Sequence, residues 1–304
     1  MTHPGTALRW LEVTMDFRCN QRCHGCFAAQ EGGPSMDGRE ALAALARGRR
    51  EGARWLWLGG GEPTLRRDLF ALASAARRMG YERVKLQTNG MLLSYPDFAR
   101  RCADAGVTEV AFAVKGATAE THDRWTRTPG AHALMVHGME AARALGMDLE
   151  ADVLVYRQTA GELPAIVRRY TPLGVGQYRI WLLSAVDVKV PEVAAEVPRM
   201  ADVVPYITAA MDLGLSQRPD FIVSLHTPPC TLPRTHHGAL FHAPDLGMLV
   251  ANPGGHAFRL EESPMEGGHH VPACDGCPDR ARCTGPRADY LALHGGDEFY
   301  PRGG

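Results

Sequence analysis

The sequence predicts an α/β fold: a partial barrel of parallel strands alternating with helices, followed by a smaller loop-rich unit. Three observations carry this expectation. The chain has 304 residues, 45% hydrophobic and 22% charged, enough apolar surface to bury a sizeable core. Apolar strand-like runs alternate six times with helix-like stretches through short connections, the pattern of a parallel sheet with crossover helices. After about residue 217 the texture changes. Pro, Gly and His become frequent there and helical periodicity fades.

The elements follow in order. Leu11 to Phe17 is a strand with β-branched content, and Ala41 to Arg50 an Ala- and Leu-rich helix. Trp55 to Leu58 is a strand stopped by Gly59-Gly60-Gly61, then Asp68 to Arg78 a helix. Val84 to Gln87 is a strand stopped by Asn89-Gly90, and Tyr95 to Ala105 a helix ending at Gly106. Val110 to Val114 is a strand stopped at Gly116, and Ala131 to Leu145 a helix ending at Gly146. Leu149 to Val155 and Tyr178 to Leu183 are strands flanking a helix from Glu162 to Tyr170. Ala201 to Leu213 is a further helix. Phe221 to Leu225, Leu246 to Val250 and Ala257 to Leu260 are short strand candidates. Six βα units suit an open or partial barrel better than a closed eight-fold one. Polar and Gly residues collect just after the strand ends, the carboxyl edge where α/β folds place their sites.

A net charge of −1 argues against a nucleic-acid binder working through a basic surface. No run approaches the ~20 apolar residues of a membrane span. The opening Met1-Thr2-His3-Pro4-Gly5 lacks the basic and apolar regions of a signal peptide. The expectation is a cytoplasmic protein with neither nucleic acid nor membrane as partner.

Seven of the eight cysteines fall in two groups, which in a cytosolic chain favours metal or redox chemistry over disulfides. Cys19, Cys23 and Cys26 form a C-x3-C-x2-C pattern directly after the first strand. Three thiolates on one loop can hold three irons of a cubane and leave the fourth open for a ligand. A zinc site completed by His24 or a distant residue is the plainer alternative.

With that motif the sequence resembles the radical S-adenosylmethionine (radical SAM) superfamily, from about Leu11 to Ala185. The resemblance implies a partial (β/α)6 TIM-like barrel and a [4Fe–4S] cluster on Cys19, Cys23 and Cys26. Its open iron would chelate S-adenosylmethionine (SAM), and a 5′-deoxyadenosyl radical would abstract hydrogen from a substrate. A reduced flavodoxin or ferredoxin would supply the electron. The residue before the third cysteine is often aromatic in this family; here it is Gly25, and Phe27 is the candidate apolar cover for the cofactor. Gly60-Gly61-Glu62 resembles the family's Gly-Gly-Glu motif, whose carbonyls meet the SAM ammonium. By composition alone it is a βα turn. Gln87-Thr88-Asn89-Gly90 resembles the family's Thr-Asn-Gly strand end, and is otherwise a turn.

Many relatives carry Ser-x-Asp-Gly after the fourth strand. Here Ala113 and Lys115 stand at those positions, so one SAM contact is missing, and Lys115 becomes a candidate to meet a carboxylate of SAM or substrate. Thr121-His122-Asp123-Arg124 resembles a loop common after this strand. His122 and Asp123 read as loop braces, with His122 an acid–base candidate. Arg127 and Asp152 are further cofactor candidates. Asp152 fits its strand's alternation badly, so it either faces the lumen or pairs with a cation. Lone Cys102 reads as a small buried hydrophobe.

Cys274-x2-Cys277-x5-Cys283, with Cys230 upstream, is a closed four-thiolate set. It suits either a tetrahedral zinc or a fully ligated [4Fe–4S] cluster. The spacing resembles the SPASM/Twitch extensions of radical SAM enzymes, with the last cysteine of the core replaced by Arg287 and another by Asn252 and Pro253. The resemblance therefore implies one auxiliary cluster. It also implies two domains, a barrel over 8–215 and an auxiliary-cluster domain over 216–304. Seven of the 13 histidines lie between His226 and His270 and read mainly as loop residues.

The functional expectation is an enzyme: a radical SAM oxidoreductase acting on a small molecule or peptide, in a net oxidation assisted by the auxiliary cluster. About ten residues precede the first strand, which weakens the reading as a ribosomal-peptide maturase that cross-links or epimerises. A zinc-stabilised binding protein without catalysis is the alternative from another class.

Overall fold

The computed structural model describes residues 7–26, 34–185, 191–215, 217–218, 220–263 and 268–301. Eight strands follow in chain order: β1 (Trp10–Thr14), β2 (Trp55–Gly59), β3 (Arg83–Thr88), β4 (Glu109–Val114), β5 (Asp148–Val155), β6 (Val175–Leu182), β7 (Ile222–Leu225) and β8 (Leu240–Phe241). Between them lie α1 (Gly38–Arg50), α2 (Leu69–Arg78), α3 (Pro96–Asp104), α4 (Ala119–Thr126), α5 (Ala131–Ala144), α6 (Leu163–Tyr170), α7 (Pro191–Ala194) and α8 (Met200–Gly214). α9 (Ala243–Leu246), β9 (Met248–Ala251), β10 (Ala257–Arg259) and α10 (Ala288–His294) complete the described elements.

All ten strands join one sheet, in the order β10-β9-β1-β2-β3-β4-β5-β6-β7-β8. β1 to β8 pair in parallel, β9 lies parallel to β1, and β10 turns back antiparallel on β9. The C-terminal segment therefore extends the barrel sheet at both edges. β7 (IVSL) and β9 (MLVA) are buried at every position. Such strands need cover on both faces, which a sheet edge under helices and loops provides. The sheet curls into a partial barrel, so that Trp181 of β6 packs in one cluster with Trp10, Trp57 and Met248.

Alternation divides each strand in two. Leu11, Val13, Leu56, Leu58, Val84 and Leu86 lie in the main core with Leu45 of α1, Leu72 of α2 and Met135 of α5. Burying one such side chain is worth roughly 1.5–3 kcal/mol. The intervening positions face the lumen, and many are polar. Asp37 caps α1 through Glu40 N (2.8 Å). Gly106 and Gly146 follow α3 and α5 with φ of 96° and 76°, a conformation that glycine adopts without strain.

The six expected strands are all present, and the three C-terminal candidates appear as β7, β9 and β10. α4 and β8 were not expected. The sequence of α4, AETHDRWT, has no apolar stripe to announce a helix; Thr118 caps it through Thr121 N (3.2 Å). No helix among the described residues is long and apolar enough to cross a membrane.

Candidate active site

The carboxyl ends of β1 to β6 converge on the loop that carries Cys19, Cys23 and Cys26. Gly61 N donates to Asp16 O (2.6 Å) and Glu62 N to Arg18 O (2.8 Å). A Cβ on Gly60 would come within 2.4 Å of Asp16 O, and one on Gly61 within 2.3 Å of Arg18 O. Only glycine lets the two backbones approach so closely. From β3, Asn89 Nδ2 donates to Asn20 Oδ1 (2.7 Å), and Gln21 Nε2 reaches Met91 Sδ (3.4 Å). From the end of α4, the carbonyls of Trp125 and Thr126 accept from His24 N (2.8 Å) and Arg22 N (3.3 Å). From β5, Tyr156 Oη donates to His24 O (3.0 Å) and its ring stacks on Trp125 at 4.1 Å. Gly25 has φ of 71°, and a Cβ there would lie 3.1–3.2 Å from Val193 and Leu183. An aromatic residue at this position would meet both a strained backbone and a filled space. Phe27 lies outside the described residues.

Burial pushes the Cys19 thiol up to about 12 and Cys23 up to about 11, and the neighbouring Cys26 adds to both effects. Lys115, after β4, acts on Cys23 in the opposite direction. A metal group that takes these thiols as thiolates must displace their protons.

Glu62 is fully buried, and its carboxylate is held by protein donors. Oε1 accepts from Thr64 N (3.0 Å), Thr64 Oγ1 (2.6 Å) and Thr88 Oγ1 (2.7 Å), and Oε2 accepts from Asn89 N (2.8 Å). Burial raises its pKa against these hydrogen bonds. Glu62 thus ties the end of β2 to the end of β3, and Thr88 serves the same knot.

Lys115 is set by its surroundings. Its N–H donates to His122 Nδ1 (3.3 Å), Tyr170 Oη donates to Gly116 O (2.8 Å), and Glu162 accepts from Ala117 N (2.7 Å). His122 is fully buried. Burial, with help from His132 and Lys115, depresses its pKa to about 3. Asp123 accepts from Gly130 N (2.6 Å) and His132 N (2.8 Å). Both residues brace the loop. Arg127 ends α4 at φ of 50° and reaches His24 Nδ1 (3.0 Å) from an exposed position.

Below this edge the lumen holds a buried lattice of charge. Lys85 Nζ lies 2.6 Å from Glu150, and its cation sits 4.5 and 4.6 Å from the ring centroids of Trp10 and Trp57. Arg179 bridges Glu150 and Asp152, the latter at 2.7 Å. Burial alone would raise Glu150, but Arg179 and Lys85 outweigh it and hold its pKa at about 2. Asp152 therefore both faces the lumen and pairs with a cation. It accepts from Arg179 Nε, Trp181 Nε1 (3.2 Å) and Gln87 Nε2 (2.8 Å). A carboxylate only accepts, so the Gln87 amide nitrogen faces Asp152 and its oxygen faces Gly59. Sequence reading missed Lys85, Glu150 and Tyr156. A charged residue inside an otherwise apolar strand was the available signal for the first two.

The second group of cysteines, Cys230, Cys274, Cys277 and Cys283, lines one cavity with Pro229 and Phe299. Burial raises the Cys230 thiol to about 11, and the charges of the other three add to it. Arg287, at the position of the missing cysteine, donates to Leu182 O (3.0 Å) and Leu183 O (2.7 Å) at the end of β6. It also pairs with Asp289 (2.9 Å), which accepts from Ala185 N (2.9 Å). Among the described residues, no three His, Cys, Asp or Glu side chains stand close enough to clasp one metal ion between them.

A family model described as the radical SAM superfamily matches residues 14–169, just over half of the chain. The chain belongs to the radical SAM superfamily. The match spans the three-cysteine loop, Gly60-Gly61-Glu62 and the ends of β3 to β5. Among curated relatives, a probable GTP 3′,8-cyclase of Methanopyrus kandleri is 31% identical over 176 residues, covering 56% of this chain and 55% of that one. An AdoMet-dependent heme synthase of Methanosarcina barkeri is 33% identical over 128 residues, covering 42% and 36%. The chain thus spans about half the length of the cyclase it matches. In fold it is similar to Streptococcus suis SuiB bound to precursor peptide SuiA, with a TM-score of 0.70 at 11% identity over 98% of this chain and 76% of that one. It is similar also to anSMEcpe with bound AdoMet, with a TM-score of 0.66 at 14% identity over 93% and 86%.

Proposed function

We propose that this radical SAM enzyme cleaves SAM reductively at a [4Fe–4S] cluster on Cys19, Cys23 and Cys26, and oxidises a small-molecule or peptide substrate. The observation that carries the reading is the three-thiol loop at the carboxyl edge, stitched to the ends of β2, β3, α4 and β5. Bound there, the cluster would supply the electron for reductive cleavage of SAM, the chemistry that opens hydrogen abstraction from substrate. The chain's own residues bind and orient. The carbonyls of Gly60 and Gly61 receive the SAM ammonium, beside the negative charge of Glu62. Lys115 offers a fixed cation to a carboxylate of SAM or substrate. Gln87 and Asn89 border the site, while Asp152 holds Gln87 in one orientation. Arg127 closes the cluster loop from outside.

Cys230, Cys274, Cys277 and Cys283 hold an auxiliary [4Fe–4S] cluster in a C-terminal unit of the Twitch type, residues 216–304, beside the barrel at 8–215. Four thiols around one cavity support this, and zinc is the competing metal. A fully ligated cluster suits electron transfer, hence net oxidation. The electron donor is a reduced flavodoxin or ferredoxin, and the compartment is the cytoplasm. The SuiB–SuiA likeness keeps a peptide maturase as the second reading of the substrate.

The test is anaerobic reconstitution with counts of iron, sulfide and zinc, beside a variant with Cys19, Cys23 and Cys26 changed to Ala, each given SAM and dithionite. About eight irons falling to about four, with 5′-deoxyadenosine from the unaltered protein alone, supports the full reading. About four irons with about one zinc makes the second site structural and removes the redox argument. Loaded protein that makes no deoxyadenosine overturns the reading.

A further inference from the structure

The loop bearing Cys19, Cys23 and Cys26 leaves the barrel at Met15 and returns at Met36, and its neck is fastened by groups that touch no cysteine. Met36 N donates to Met15 O (2.9 Å). Arg66, from the connection between β2 and α2, is only 8% exposed. Its Nη1 donates to both strands of the neck, to Met15 O (3.2 Å) and Met36 O (2.8 Å). Its Nε and Nη2 are held by the two oxygens of Asp68 (2.9 and 2.7 Å). Asp16 forms a second fastening at 3% exposure. Oδ1 accepts from Arg18 N (2.7 Å), and Oδ2 accepts from Arg18 Nε (2.8 Å), Arg18 Nη2 (2.6 Å) and Ser35 Oγ (3.2 Å). The Asp16 contacts thus grip the loop just before Cys19 and just before its return.

A buried guanidinium has no place in an apolar core unless its donors are met. Here they are met by the two backbone carbonyls whose separation sets the mouth of the loop. A lysine could not span both while paired to Asp68, because its ammonium lacks the planar fork. Ordering a loop of this length costs entropy that ligation of iron would otherwise have to overcome. A neck closed in the metal-free chain removes part of that cost, as preorganisation does for any ligand.

We infer that Arg66 and Asp16 are positioning residues that preform the three-thiol loop, so that iron is captured and held by a neck already shut. The inference rests on the reading of Cys19, Cys23 and Cys26 as the cluster ligands. Iron in the unaltered protein, lost more slowly when SAM is present, establishes that reading first; iron that SAM does not protect overturns it, whatever the neck does.

The experiment follows iron loss from the reconstituted full chain to excess EDTA, with and without SAM, in the unaltered protein, Arg66→Met, Arg66→Lys and Asp16→Asn. Metal-free melting is recorded for each. The expected result is loss of the SAM-protected iron at least tenfold faster in Arg66→Met and severalfold faster in Arg66→Lys. Asp16→Asn, which still accepts from Arg18 N, is milder. Loss of the second-site metal stays at the unaltered rate in all three. Equal rates for the SAM-protected iron in Arg66→Met and the unaltered protein overturn the inference. So does equal acceleration at both sites, or a metal-free variant that no longer melts cooperatively while Asp16→Asn behaves as the unaltered protein.

Discussion

The two cysteine groups are built by opposite means. The first sits on a long loop and gains its shape from a distance: backbone from β2, an amide from β3, carbonyls at the end of α4 and the Tyr156 hydroxyl of β5. In the second, Cys274, Cys277 and Cys283 gain their shape from nearby turns, and Cys230 from the turn that follows β7. Cys277 N donates to Cys274 O (3.1 Å), and Cys283 N to Asp279 O (2.8 Å). Besides the strands β7 and β9, it is tied to the barrel by Arg287, which donates to Leu182 O and Leu183 O, by Asp289, which accepts from Ala185 N, and by Tyr290 Oη, which accepts from Met200 N (2.8 Å). A site that depends on many strand ends stands or falls with the barrel. A site with three of its four thiols on local turns depends less on the strand ends.

The largest effect expected is total. Changing Cys19, Cys23 and Cys26 to Ala abolishes deoxyadenosine formation and leaves the second-site metal in place. Loss of that metal as well, read by elemental analysis, would break the comparison. Next comes Asp289→Asn, which leaves buried Arg287 without its countercharge. Breaking such a pair costs about 3–5 kcal/mol, so the melting temperature falls clearly while SAM cleavage in the surviving folded protein persists. Glu62→Gln follows. It turns an amide N–H toward Asn89 N–H and costs about 1–3 kcal/mol, with a higher KM for SAM, because the ends of β2 and β3 come apart.

A subtler effect is a pH dependence carried by His122 on the first side. His122 titrates at about 3 when folded and at about 6.5 when unfolded. The unfolded chain therefore binds the extra proton between those values. Stability from this group is full above about pH 6.5 and is lost as pH falls toward 3, by roughly 1 kcal/mol for the first unit. Melting curves of His122→Asn, which keeps an acceptor for Lys115 N, should show a flatter acid limb than the unaltered protein. An identical slope would discount the buried imidazole. Smallest is Arg127→Ala, an exposed contact whose loss shifts melting by less than about 0.5 kcal/mol. A large loss of first-site iron in this variant would make Arg127 part of the clamp.

Much of this was legible in the sequence. Apolar runs stopped by Gly or Asn-Gly marked the strands, because each strand's outward face is continuous with the core. The cysteine spacings and Gly-Gly-Glu stood out because local chain geometry dictates them. The fastening of the site did not. Arg66 reaches Met15 and Met36 across the fold, and nothing in the surrounding Leu65-Arg66-Arg67 distinguishes it from its exposed neighbour. Asp152 showed that something was unusual, but its partners Gln87 and Arg179 sit on other strands, and the register that aligns them is not a local property. α4 stayed hidden because its stability comes from a cap and from Trp125, not from a stripe.

The C-terminal strands embrace the barrel from both sides: β9 covers the outer edge of β1, and β7 that of β6. β1 therefore waits for residues 248–251 before its second neighbour exists. A nascent or truncated chain ending near residue 215 would present two bare parallel edges, one bearing Trp10 and Leu11. Unpaired apolar edges of this kind template aggregation, and pairings so distant in sequence form slowly. Expression of the barrel alone is thus expected to give insoluble protein, and slow synthesis or chaperone capture to matter most before β7 to β10 arrive.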